Sequence, residues 1–156
     1  MSYAHRQGSD WSGILMAESE VSLVRERYIL DGKIDLIRVR DDETEIIDFK
    51  TGSKPNININ RDRERLEASR RQVNVYAYLA VKSLGLKVNR MKLYYTGEGG
   101  EQNPEIVYEY DEGGAEEIMH GFDETGNRIL AQDFEHRTND LETCRDCVFR
   151  YYCGRE

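Results

Sequence analysis

The chain lacks the features that mark membrane-spanning and secreted proteins. No run of about 18 apolar residues occurs, so no transmembrane helix and no membrane partner are expected. The opening residues Met1-Ser2-Tyr3-Ala4-His5-Arg6 have no apolar stretch of the kind that targets secretion. Cysteine is scarce, with three in 156 residues, all within the last thirteen positions, which argues against a disulfide framework. A reducing, cytoplasmic setting is the resulting expectation. Lysine and arginine are missing between Gly97 and Asn127, where ten acidic residues fall. That stretch accounts for the net charge of −8, because the remainder holds 22 basic and 20 acidic residues. It reads as a solvated flank turned away from any polyanion, which leaves a polyanion-binding face possible elsewhere. Internal repeats and low-complexity segments are also lacking.

With 38% apolar and 33% charged residues, the chain has the composition of a rather polar globular protein long enough to bury a core. Residues 1–19 read as irregular. A first strand is expected over Glu20–Leu30, a hairpin turn at Asp31-Gly32, a second strand over Lys33–Arg40 and a polar turn at Asp41–Thr44. A third strand then carries Ile46-Ile47-Asp48-Phe49-Lys50, ending at Thr51-Gly52. A turn of four residues would set Arg40 opposite Glu45, Ile37 opposite Asp48 and Asp35 opposite Lys50. Asp35, Asp48 and Lys50 then share one face. Both faces of these strands are largely apolar, which calls for helices packed on the sheet.

After a loop, apolar residues from Leu66 to Leu84 recur at helical spacing. They predict a helix over Asp62–Leu84 that stops at Gly85. Strands are expected at Met91–Tyr95 and Glu105–Tyr110, and a second helix at Ala115–Gln132, interrupted near Gly121. The fold class is therefore α/β, a central mixed sheet flanked by helices. One domain spans residues 1–156, with a core of about 20–132 and a cysteine-rich tail at 136–156.

Burying charge in an apolar strand is costly, so Asp48 and Lys50 need a reason to be there. One or two carboxylates that hold Mg²⁺, with an adjacent lysine, suit phosphodiester hydrolysis. A buried Asp–Lys ion pair that merely ties the hairpin is an equal reading on spacing alone. Gln72 and Tyr76 lie four apart on the helix and share a face, where Gln72 would hydrogen-bond a metal-bound water or a phosphate. Ordinary core packing explains that pair as well. Arg61, Arg63, Arg65, Arg70 and Arg71 outnumber the interleaved Asp62, Glu64 and Glu67, which is consistent with phosphate contact. Cys144-x2-Cys147 followed by Cys153 has metal-chelating spacing. Three thiolates leave a fourth position open, for His136, His120, another chain or a missing residue.

Gly-x-Ile-Asp at 32–35, Ile-Ile-Asp-Phe-Lys-Thr-Gly at 46–52, Gln-x3-Tyr at 72–76 and Cys-x2-Cys-x5-Cys at 144–153 stand in an order that resembles the RecB-like branch of the PD-(D/E)XK nucleases. Members with such a tail resemble AddB-type and CRISPR-associated iron–sulfur exonucleases. The resemblance covers about Glu20 to Cys153. It implies a restriction-endonuclease-like sheet and Mg²⁺- or Mn²⁺-dependent DNA cleavage, as an exonuclease in DNA repair or recombination. Asp35, Asp48 and the Phe49 carbonyl would be metal ligands, Lys50 the catalytic lysine, and Gln72 and Tyr76 the accessory helix motif. His5 and Glu20 would be further ligands. The cysteines would hold a 4Fe–4S cluster, with zinc the alternative. The family places a histidine and a first cysteine upstream, where this chain has only His5 and no cysteine. The expectation is therefore a fragment of a longer protein, such as the C-terminal domain of a helicase–nuclease, with a helicase domain or subunit as partner. A catalytically silent DNA-binding or scaffold module is the rival reading.

Overall fold

A computed structural model describes Tyr3, residues 11–98 and 103–133, Arg145 and Cys147, and five strands and two long helices lie within residues 11–133 of that set. Strands β1 (Ile14–Val24), β2 (Ile29–Arg40) and β3 (Glu43–Lys50) form an antiparallel meander. Helix α1 (Asn60–Leu84) then crosses over to β4 (Val88–Tyr95), which lies parallel to β3, as a helical crossover permits. Strand β5 (Glu105–Glu109) pairs antiparallel with β4, and the sheet order is β1-β2-β3-β4-β5. The chain divides into two compact units, residues 1–122 and 123–156. Helix α2 (Glu112–Leu130) begins in the first and ends in the second, where Arg128 pairs with Asp133 at 3.0 Å.

Several expectations needed correction, each for a physical reason. The stretch expected as one strand over Glu20–Leu30 is a hairpin. Its charged middle, Arg25-Glu26-Arg27, forms the turn, and the Arg25 N–H donates to the Tyr28 carbonyl at 2.9 Å. Asp31-Gly32 is not a turn but lies within β2, where Gly32 pairs with Val21. Glycine is needed there for packing, since a Cβ would meet Leu79 Cδ1 at 2.9 Å and Tyr76 Cε1 at 3.2 Å. Residues 14–19, expected to be irregular, open β1. Gly121 does not interrupt α2, because a single glycine costs a helix only about 1 kcal/mol.

The β2–β3 turn is tighter than expected. Asp41 and Asp42 both adopt left-handed φ, 53° and 61°, and close a two-residue turn in which Arg40 pairs with Glu43. The register therefore differs by two residues from the one a four-residue turn would impose. A shift of two preserves which face each side chain takes.

Both faces of the sheet are covered. On one, Ile37, Ile46, Met91 and Leu93 pack with Val73, Ala77, Leu79 and Ala80 of α1 and with Ala115 and Met119 of α2. On the other, Leu36, Ile47 and Tyr94 pack with Ile14, Phe49 and Tyr3. The Tyr3, Phe49 and Tyr94 rings meet edge to face with centroids 4.9–5.6 Å apart. Beside this cluster lies buried charge. Glu45 accepts from Arg38 Nε and pairs with Lys92 Nζ, each at 2.7 Å. Burial alone would raise the Glu45 pKa, but Lys92 and Arg38 more than offset it and hold the carboxyl below its usual range. The acidic stretch is largely solvated, as expected, but four of its acids also meet cations. Glu105 and Glu109 pair with Lys92 and Arg90, and Glu112 and Glu116 both pair with Lys82.

Glu45→Gln removes the anion from between two buried cations. It is expected to cost about 3–5 kcal/mol, measured by urea unfolding at neutral pH. A depressed pKa stabilises the fold above the ordinary value of 4.5 and ceases to do so as pH falls through the lower folded value. The difference between wild type and variant should therefore shrink in acid.

Candidate active site

The two-residue periodicity of β3 turns Ile46, Asp48 and Lys50 toward α1, while Ile47 and Phe49 face the aromatic cluster. Asp48 is buried, and its Oδ2 lies 2.8 Å from Lys50 Nζ. That contact is close enough for strong attraction but off the line of a hydrogen bond, and Oδ2 accepts none. Burial pushes the Asp48 carboxyl above its usual range, Lys50 pulls it back, and Asp35 adds a further push upward. Lys50 Nζ continues to Gln72 Oε1 at 2.6 Å, and Gln72 Nε2 donates to the Tyr76 hydroxyl at 2.8 Å. Tyr76 lies over Gly32, so the bare backbone of β2 sets how near this part of the helix approaches. The sequence-selected residues Asp48, Lys50, Gln72 and Tyr76 thus form one connected line.

Asp35 enters from β2 where the strand's alternation slips. Ile34 and Ile37 join the same core although three residues apart, and Leu36 joins the opposite one. Glu18, whose neighbours pair with Leu36 and Ile34, faces this position across β1 with φ 52°. Such paired irregularities re-aim a side chain, as bulges beside active sites do. The β2–β3 ladder stops at Leu36–Ile47, and beyond it Asp35 Oδ2 accepts the Phe49 N–H at 2.7 Å. Asp35 is thereby held at the strand mouth, near enough to Asp48 to add to the upward push on its carboxyl.

The end of the motif is fixed by β4. The Thr96 N–H donates to the Lys50 carbonyl and the Gly97 N–H to the Gly52 carbonyl, both at 2.9 Å. Gly52 has φ 88°, and a Cβ on Gly97 would overlap the Gly52 backbone. Sequence reading missed Glu18, Thr96 and Gly97, since none carries a motif and their roles exist only through pairing.

Other expected residues are placed as follows. Glu20 lies within β1, exposed and opposite Lys33, rather than ahead of the first strand. Glu18, not Glu20, is the acid across from Asp35, and it pairs with Lys33. Arg61, Arg63, Arg65, Arg70 and Arg71 are all exposed on the first half of α1. Arg70 also stacks over Tyr108, with its guanidinium 5.4 Å from the ring centroid. Cys147 is a half-buried free thiol and His120 is exposed on α2. His5, His136, Cys144 and Cys153 lie outside the described residues.

The family profile for the PD-(D/E)XK nuclease superfamily matches residues 3–154, nearly the whole chain. The chain belongs to the PD-(D/E)XK nuclease superfamily. The α/β fold, with a five-strand mixed sheet flanked by two helices, goes with that membership. No curated protein matches the sequence. Among solved structures, the chain is similar to the one titled "Crystal structure of SSO0001", at 16% identity and a TM-score of 0.52. The match covers 89% of this chain and 59% of that one, and at such identity it speaks for the fold alone. PD-(D/E)XK nucleases typically use divalent metals, and the donor chemistry here fits one. Asp48 Oδ2 is a buried oxygen without a hydrogen bond, next to a second carboxylate. Among the described residues no three His, Cys, Asp or Glu side chains cluster. The candidate centre is therefore a two-carboxylate one, the open kind in which Mg²⁺ keeps water and phosphate as its other ligands.

A carboxyl whose folded pKa is raised stabilises the fold below its unfolded value of 3.8 and loses that contribution as pH rises through the folded value. At pH 8 the ionised Asp48 therefore costs the metal-free protein stability. Asp48→Asn is expected to raise the Tm of metal-free protein by a few degrees at pH 8, by calorimetry, with the gap narrowing toward acid. An unchanged or lower Tm at pH 8 would remove the claim that burial dominates at this carboxylate.

Proposed function

We propose that this chain is a Mg²⁺- or Mn²⁺-dependent deoxyribonuclease. The observation that carries the reading is the buried Asp48 Oδ2, left without a hydrogen bond beside Asp35 and joined through Lys50 to Gln72. Asp35, Asp48 and the Phe49 carbonyl would hold the cation. When bound, it supplies Lewis-acid neutralisation of the phosphoryl oxygens and lowers the pKa of a bound water. Lys50 places an ammonium where negative charge develops and orients the attacking water. Gln72 keeps that ammonium on the reacting face, and Tyr76 keeps Gln72 in place by accepting from its amide. Gln72 and Tyr76 are thus positioning residues, whereas Asp35, Asp48 and Lys50 do the chemistry.

The order of the four motifs supports a finer reading: an exonuclease of the RecB-like branch, acting in the cytoplasm in DNA repair or recombination beside a helicase domain or subunit. Cys144, Cys147 and Cys153 would hold a 4Fe–4S cluster that ties the tail to the domain, with Zn²⁺ as the alternative metal. His5 and Glu20 are the remaining ligand candidates. The exposed arginines of α1 would contact the DNA backbone.

Degradation of linear DNA with Mg²⁺ or Mn²⁺ by wild type, Asp48→Ala and Lys50→Ala tests the assignment. Each variant is expected to lose at least about a hundredfold in kcat, the scale of one lost electrostatic or acid–base group. Equal activity in all three would remove the catalytic assignment, and inactivity of a cluster-loaded full-length wild type would favour the silent DNA-binding module. At subsaturating metal, activity is expected to climb with pH through the raised Asp48 pKa, because the carboxyl must ionise to bind. A brown protein with broad visible absorption is expected if the cysteines hold iron and sulfur. A colourless, zinc-containing protein would overturn that assignment.

A further inference from the structure

We propose that the cavity alongside Lys50, rimmed by Lys54, Arg65, Ser53 and Ser69, is a second phosphate site that seats a phosphate neighbouring the scissile one. This rests on the nuclease reading above. The cavity has a volume of about 340 Å³, shares Lys50 with the candidate active site and is also lined by Tyr95. It lies at the small end of ligand pockets, which run from about 300 Å³, and is of a size for a phosphate with its sugar rather than for a duplex.

Its charge favours an anion. Lys54 Nζ donates to the Asn103 and Glu105 carbonyls at 3.0 and 3.1 Å, which fixes the ammonium without neutralising it. Among the described residues, no carboxylate pairs with that ammonium. Arg65 has only Asp62 near it, at 4.0 Å, and its side chain is 73% exposed. Asp62, the one acid of the lining, has its other oxygen engaged by the Asn56 N–H at 2.9 Å. The guanidinium fork is thus available for bidentate contact, with the Ser53 and Ser69 hydroxyls on the same rim. Tyr95 links the two sites: its phenol, pushed up first by burial and then by Tyr108, also feels Arg65 and Asp48 in opposite senses. A larger cavity of about 550 Å³, between α1, β5 and α2, offers a contrast. Its lining sets Arg70 and Arg71 against Glu67, Glu109, Asp111 and Glu117, a net negative rim unsuited to phosphate.

Arg65→Ala, an exposed change that leaves the core intact, and Lys54→Met, which keeps the apolar stem, test this in the full chain. Binding is followed by fluorescence anisotropy over a salt series with labelled oligothymidylate bearing a 5′-phosphate or a 5′-hydroxyl, and with circular single-stranded DNA. Each variant is expected to bind about tenfold more weakly and to flatten the dependence of log K on log salt by about 0.7, the value of one lost phosphate contact. Arg65→Lys should restore the slope but only part of the affinity. A loss confined to the 5′-phosphorylated strand assigns the site to a terminal phosphate, and an equal loss on circular DNA assigns it to an internal one. Unchanged affinity and slope in both variants, or no DNA binding by wild type, would overturn the site. Failure of the nuclease reading would show differently, as wild type without cleavage whose binding still weakens in Arg65→Ala.

Discussion

The attraction between a buried carboxylate and the lysine two residues along the same strand is the constraint on which the rest of the structure turns. Glu45 and Asp48 sit three residues apart on β3 and are almost equally buried, at 1% and 4% exposure. Their titration moves in opposite directions. Glu45 has two cations at 2.7 Å, and its carboxyl is held below the usual range. Asp48 has one, out of line, with a second carboxylate nearby, and is pushed above it. Burial is common to both, so partners decide the difference. One face of the strand completes its charges with protein and the other leaves them incomplete, and incomplete charge in a packed interior is characteristic of functional sites.

Leaving Asp48 under-compensated demands that everything around it be held without its help. Backbone contacts, not further ion pairs, do much of this. Gly32 lets Tyr76 lie against β2, and through Tyr76 the amide of Gln72 is aimed at Lys50. Gly97 lets the end of β4 close on Gly52, so the carbonyls of Lys50 and Gly52 are fixed from the far side. The Phe49 N–H draws Asp35 into the strand mouth. Contacts of the backbone therefore determine where the Gln72 and Asp35 side chains point and where the strand end carrying Lys50 lies. A larger residue at Gly32 or Gly97 would act on the site by displacing a helix or a strand end.

Much of this was legible in the sequence, for reasons that also show where legibility ended. Asp48 and Lys50 share a face by parity along β3 alone, so the error of two residues in the β2–β3 register did not touch them. The tight turn behind that error rests on two aspartates in left-handed φ, a weaker written signal than Asp-Gly. Asp31-Gly32 carried that stronger signal and misled, because a glycine needed for close packing reads the same as one needed for a turn. Asp35 was found by its motif, but the slip that aims it was not, since it shows only once β2 is paired with β1, where Glu18 lies opposite in left-handed φ. Lys54 had no motif at all, and its position comes from carbonyls nearly fifty residues away.

The same holds for charge. The net −8 and the run of acids after Gly97 argue against a polyanion-binding surface if charges are taken as independent. The fold makes them dependent. Glu105, Glu109, Glu112 and Glu116 are taken up by Lys82, Arg90 and Lys92, cations of β4 and of the C-terminal half of α1. Lys54 and, at the other end of α1, Arg61 and Arg71 have no carboxylate partner among the described residues. The C-terminal end of the helix thus matches its cation closely with acid, whereas in the half beside Lys50 only Arg65 and Arg70 meet carboxylates, Asp62 and Glu67, and only at 4.0 and 3.9 Å. The local field there is set by the unmatched cations, because surface charges more than about 10 Å apart are largely screened at moderate salt. A chain that is acidic as a whole can in this way present a basic approach to one site, with its acids neutralising the cations that would otherwise compete for the same strand.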